Sequence, residues 1–128
     1  MVIFTRTYDL LGWLIPQTLH FPRSQRFVVT RRLQDAALDF QERIVEANRL
    51  QGRERLSHLR RADADLDKLR LYLRLAVQWQ WLSEGQYHHV SQMVKEIGAL
   101  LGGWIKQTSG TPGRLSPLVR GPVAETRG

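Results

Sequence analysis

Thirty consecutive residues, Arg53 to Leu82, pass without a glycine or a proline. Within them Leu59, Ala62, Leu66, Leu69, Leu73 and Ala76 recur three or four positions apart, so they line one stripe of an α-helix. Leu71, Leu75 and Trp79 are expected to widen that stripe toward its C-terminal half, while Arg60, Asp67, Arg70, Arg74 and Gln78 occupy another face. At ~1.5 Å per residue such a helix is roughly 45 Å long. An apolar stripe of that length cannot be covered by one short neighbour. The remainder of the chain must supply antiparallel helices of comparable length, and this requirement restricts the fold to a helical bundle.

The flanking segments meet the requirement. Residues 1–20 predict a first helix capped by Thr5 or Thr7, with Tyr8, Leu11, Ile15 and Leu19 as its apolar stripe and Trp13 and Leu14 beside it. Pro16, which lacks an amide and crowds the carbonyl four residues back, predicts a kink. Phe21-Pro22-Arg23-Ser24 breaks the pattern, and Ser24 is placed to cap a second helix running to about Gln51. Phe27, Thr30, Leu33, Ala37, Phe40, Ile44 and Ala47 form its inner stripe. Its outer face carries Arg32, Asp35, Asp39, Arg43, Glu46 and Arg49, with Asp39 and Arg43 set for an i,i+4 pair worth about 0.2–0.5 kcal/mol. Gly52 is expected to end this helix in a left-handed C′ position.

Ser83 followed by Gln86 has the spacing of a capping box and opens a fourth helix to about Gln107, with Glu84 in its first turn. Tyr87, Val90, Val94, Ile97, Leu101 and Trp104 alternate by three and four along it, the seam of a bundle. Gly98 and Gly102, one turn apart, predict close backbone approach to a neighbour, since each interior glycine otherwise costs ~1 kcal/mol relative to alanine. Residues 109–128 are rich in Gly, Pro, Ser and Thr, lack any apolar period, and read as a disordered basic tail. The expected architecture is therefore an all-α, antiparallel up-down-up-down four-helix bundle over residues 1–108, followed by that tail. Four tryptophans (Trp13, Trp79, Trp81 and Trp104) exceed what an already filled Leu/Ile/Val seam requires, so at least one should lie outside the intrachain core, at a subunit contact.

The chemistry expected of the chain is binding rather than catalysis. It has no cysteine, which removes thiolate catalysis, cysteine-ligated zinc and disulfides and suits a cytoplasmic protein. It lacks the paired Glu-x-x-His motifs of di-metal bundles, a phosphate loop, a nucleophile elbow and HExxH. No cofactor, no metal and no membrane span are expected, and no secretory signal is visible. Charge is what remains. There are 19 Lys+Arg against 12 Asp+Glu, and residues 21–61 alone hold ten arginines and five acids. Arginine suits planar, bidentate contact with phosphate. The candidate nucleic-acid or partner-binding residues are Arg26, Arg31, Arg32, Arg53, Arg55, Arg60, Arg61, Arg70 and Arg74, with His58 inside the cluster around Gly52. In the tail, Arg114, Arg120 and Arg127 add to the basic excess.

Four stretches carry a resemblance. They are Tyr8-Asp-Leu-Leu-Gly-Trp-Leu-Ile-Pro16, Phe21-Pro-Arg-Ser-Gln-Arg-Phe27, Leu69-Arg-Leu-Tyr-Leu-Arg-Leu-Ala76 and Glu96-Ile-Gly-Ala-Leu-Leu-Gly-Gly-Trp-Ile-Lys106. In this order, over residues 8–106, they resemble the accessory variability determinant (Avd) proteins of diversity-generating retroelements. The FPRSQRF element is also similar to that of four-helix proteins encoded in ribosomal RNA intervening sequences. The Avd resemblance implies a four-helix bundle assembling into a basic homopentameric barrel. It further implies a non-catalytic accessory role, binding the retroelement's reverse transcriptase together with template RNA or cDNA during mutagenic retrohoming. The alternatives are a stand-alone RNA-binding bundle of the intervening-sequence type and a plain helical oligomerisation module.

Overall fold

The structure, a computed structural model, describes residues 1–110. The predicted tail beyond Gly110, with Arg114, Arg120 and Arg127, lies outside the described residues. Four helices make up the bundle: α1 (Val2–Gln17), α2 (Val29–Asn48), α3 (Gly52–Gln78) and α4 (Glu84–Thr108), with short 3-10 turns at Thr18–His20 and Arg23–Gln25 between the first two. Each helix packs on the next and α1 packs back on α4, which closes the ring. The polar contacts fix the antiparallel registers. Arg6 on α1 meets Glu96 on α4, and Gln17 meets Gln86. Arg43 on α2 meets Asp65 on α3, and Gln34 reaches back to Thr18.

The stripe on α3 is buried as its spacing predicts: Leu59, Ala62, Leu66, Leu69, Leu73 and Ala76 all lie in the core. Leu71 and Trp79 do not widen it, because both stand at its outer margin and are about half exposed. The inner stripes of α2 and α4 are likewise buried, except that Tyr87 is half-buried and Phe27 is 76% exposed. Phe27 precedes α2 rather than belonging to it. The chain makes a 3-10 turn through Arg23–Gln25, and α2 starts only at Val29, so Ser24 caps nothing. What anchors this passage is Phe21, buried in the core with its ring 5.3 Å from that of Trp81.

Helix α1 differs in phase from the reading above. Its buried residues are Ile3, Thr7, Leu10 and Leu14, whereas Tyr8 is 74% and Leu19 80% exposed. The helix starts at Val2, so neither Thr5 nor Thr7 caps it. Thr7 is inside because its hydroxyl donates to the Ile3 carbonyl oxygen at 2.7 Å, which satisfies the group locally and lets the methyl face the core. Pro16 falls one residue before the helix ends, so the chain tightens into the 3-10 turn at Thr18 instead of kinking onward.

Two left-handed residues shape the remaining turns. Gly52 has φ +59°, as expected, but it opens α3 rather than closing α2, which ends four residues earlier at Asn48. At the other end of α3, Gln80 has φ +64°. The Trp81 amide donates to the Ala76 carbonyl and the Gln80 amide to that of Val77, the double bond of a Schellman cap with glutamine where glycine is usual. A side chain there is strained by about 1 kcal/mol or more. Gln80→Gly should therefore stabilise the bundle by about 0.5–1 kcal/mol after glycine's own entropy cost, read as a rise in urea midpoint at unchanged slope. The capping box of α4 forms as predicted, with the Gln86 amide donating to Ser83 Oγ and the Ser83 amide to Gln86 Oε1.

Candidate nucleic-acid and partner interface

The candidate arginines separate by what their guanidinium groups already hold. Arg43, read above as a surface partner of Asp39, instead donates to Asp65 Oδ2 at 2.5 Å. Asp65 is only 2% exposed, with Lys68 Nζ at 4.0 Å from its other oxygen. The hydrogen bond to Asp65 raises the Arg43 pKa above the ordinary guanidinium value, burial opposes it, and the nearby carboxylates add to the rise. A raised value keeps the stabilising charge fully present below the ordinary guanidinium range, so Arg43 does not switch off at physiological pH.

Arg55 is also held within the fold. Its Nε donates to the Ala47 carbonyl at 2.9 Å and its Nη2 to that of Asn48 at 3.3 Å, so it caps the C-terminus of α2. The same guanidinium lies 5.8 Å from the ring centroid of Trp104, which is edge-on to Phe4. Arg55 thus ties α2, α3 and α4 together at one end of the bundle. His58 beside it contacts the Glu54 carbonyl and stands 3.6 Å from Glu46.

Arg53, Arg60 and Arg61 are different. All are exposed, and none has a carboxylate within ion-pair distance among the described residues. They line a shallow face of α3 together with Leu56, Ser57 and Ala64. The small side chains between them leave the arginines free to reach an extended anion. On α2, Arg31 pairs loosely with Asp35 at 3.7 Å, a contact of little consequence at that exposure, and Arg32 is exposed. Arg26 lies against the ring of Phe27, 5.9 Å from its centroid.

The structure brings Arg70 and Arg74 together with Lys95 of α4 around a groove of about 360 Å³ between α3 and α4. Leu73 and Val94 form part of its apolar lining, and Tyr87, Ser91, Gly98 and Ala99 complete it. Arg70 Nη1 donates to Asp67 at 2.8 Å, which steers the guanidinium across the groove. A Cβ at Gly98 would come within 2.6 Å of Arg70 Nη2, so Gly98 makes room for this arginine rather than for a neighbouring backbone. Among the described residues, a Cβ at Gly102 or Gly103 would meet no neighbouring element within 4 Å, so the close approach expected at Gly102 is not found. Lys95 was missed by reading arginine clusters along the chain. Its signal was helical phase, because Ser91, Lys95 and Gly98 share one face of α4.

Among the described residues no group of three or more His, Asp or Glu side chains is placed to hold a metal, and no helix is long and apolar enough to cross a membrane. Fold and surface together define a small, basic, antiparallel four-helix bundle whose distinctive chemistry is its arginines. A family model described as bAvd-like matches residues 1–108, and the chain belongs to that family. Among solved structures it is similar to a protein of unknown function from the S23 ribosomal protein family of Bacteroides thetaiotaomicron. The TM-score is 0.73 at 19% identity, over 81% of this chain and 98% of that one, a likeness of fold. No curated protein matches the sequence.

Proposed function

We propose that this protein is a non-catalytic, cytoplasmic accessory subunit of a diversity-generating retroelement. It assembles into a homo-oligomer, a pentamer by analogy with the family it resembles, and holds the reverse transcriptase together with template RNA or cDNA. The observation that carries this reading is a coincidence of place. The family match spans the whole bundle, and on that same unit Arg53, Arg60 and Arg61 stand exposed without carboxylate partners among the described residues. Free arginines on a rigid helix attract a phosphate backbone by charge, with little sequence preference.

Self-association is supported by apolar surface that the monomer leaves open. Tyr8 on α1, Leu38 and Val45 on α2, and Trp79 at the end of α3 remain exposed, and Leu11 and Ile15 are only half-buried. Trp79 is the tryptophan that the bundle does not need for its own core. Light scattering at micromolar concentration, alone and after co-expression with a reverse transcriptase of the proposed retroelement, tests the proposal. The expected result is a defined oligomer that retains the reverse transcriptase through size exclusion. A ~15 kDa monomer that releases the enzyme would overturn it.

A further inference from the structure

A second, smaller site, which no arginine of α3 lines, lies where the 3-10 turns pass into α2. A hollow of about 110 Å³ is lined there by Phe21, Pro22, Arg23, Arg26, Thr30 and Gln34, among others. A water molecule's share of liquid volume is roughly 30 Å³, so the hollow has room for a group of several heavy atoms. Thr30 is 5% exposed, yet its Oγ1 has no hydrogen-bond partner among the described residues. A buried hydroxyl without a partner is unusual in a folded protein and calls for one.

Three further features give the sign of that partner. Helix α2 begins at Val29 with Val28 as N-cap and no side-chain cap, so the amides of its first turn have no side-chain acceptor. The first turn also carries no acidic side chain, so no side-chain oxygen of its own compensates the positive end of the helix dipole. Arg23 and Arg26 are both exposed at the rim, and among the described residues neither forms an ion pair. Gln34 already donates to Thr18 Oγ1, which steadies the far wall.

We propose that this hollow binds a phosphate group, held by the Arg23 and Arg26 guanidinium groups, the first-turn amides of α2 and the Thr30 hydroxyl. Two sources share this chemistry, the 5′-phosphate of a nucleic-acid strand and a free phosphate. The strand-end source rests on the function proposed above, whereas the phosphate site itself does not.

The test uses the full chain and inorganic phosphate, with sodium chloride at matched ionic strength as the reference. Amide resonances of Val29, Thr30 and Arg31 should shift saturably with phosphate. Arg23→Gln with Arg26→Gln should weaken binding at least tenfold. Thr30→Val should weaken it several-fold while leaving the melting temperature unchanged or higher, because an unpartnered buried hydroxyl is removed. Shifts that fail to saturate, or that are largest on α3, would overturn the site. So would a Thr30→Val protein that melts lower and binds phosphate as before. Anisotropy with 5′-phosphorylated and 5′-hydroxyl single strands then separates the sources. A several-fold preference for the phosphorylated strand, lost in the double arginine variant, assigns the strand end; equal binding of the two strands with phosphate binding intact assigns free phosphate. Phosphate binding without any strand binding would remove the nucleic-acid function and keep the site. The reverse result would remove the site and keep the function.

Discussion

Arg43→Ala should cost about 3 kcal/mol of stability, the lower part of the range for breaking a buried ion pair. The loss comes less from the missing attraction than from what is left behind. Asp65 sits in the core at 2% exposure, and without Arg43 its nearest cation is Lys68 at 4.0 Å, whose own side chain is largely in solvent. Arg43 is itself 30% exposed along its side chain, which tempers the cost. For a bundle of this size the change corresponds to a fall in melting temperature of more than ~10 °C. Replacing both partners, Arg43→Met with Asp65→Leu, should recover most of it, because nothing charged then remains to be solvated. Urea denaturation of the two single variants and the double variant, at one protein concentration, measures the coupling directly. A loss below ~1 kcal/mol for Arg43→Ala would mean that Asp65 finds water, and the pair would then be ordinary surface chemistry.

Nucleic-acid affinity should collapse when Arg53, Arg60 and Arg61 are changed to Glu. If these three neutralise three phosphates per chain, wild-type affinity for duplex DNA falls about 40-fold between 50 and 200 mM salt, from a slope near −0.9 per phosphate. The triple variant should lose at least that factor at low salt and show a slope shallower by about three. Its fold should be nearly unaffected, within about 0.5 kcal/mol per site, since none of the three side chains has an ion-pair partner among the described residues. Arg55 must stay out of this set. Its reversal would uncap α2 and remove the cation beside Trp104, confounding a binding defect with a folding one. The comparison is Arg70→Glu with Arg74→Glu on the α3–α4 groove, which changes the charge in the same sense by two residues instead of three. A loss confined to reverse transcriptase capture there, with nucleic-acid binding kept, would assign the two faces to different partners. Unchanged affinity and slope in the triple variant would exclude the outward face of α3 from nucleic-acid contact.

The number of helices, the start of α3 and the box that opens α4 were all legible because each depends on local spacing, whereas α3 stops at Gln78, four residues short of the expected Leu82. The phase of α1 was not legible. Its apolar residues run nearly all round, and the deciding residue is Thr7, whose polarity on paper is cancelled by its own helix carbonyl. The Gln80 cap was hidden for the opposite reason, since a left-handed turn is read from Gly or Asn and this one tolerates strain. At the surface, arginine identity showed where positive charge accumulates but not which guanidinium groups are already engaged. Arg43 and Arg55 are held by atoms 22 and 8 residues away in sequence, and only the packing of α2 on α3 puts those atoms within reach. Lys95 entered the groove for the same reason, through the packing of α4 on α3.

The closure of the ring between α1 and α4 predicts an order of folding during synthesis. Arg6 and Glu96 are 90 residues apart, whereas the α2–α3 pair is joined by a turn of a few residues. Contacts between near neighbours in sequence form fast, and those that close long loops form late. Of the four helices, α1 leaves the ribosome before the others and is the last expected to have its surface fully covered, since it waits for α4 with apolar residues on more than one side. During that interval those same residues are open to other chains. A protein whose nascent first helix must avoid stray partners gains from a strong, quickly formed α2–α3 hairpin against which α1 can rest until α4 arrives.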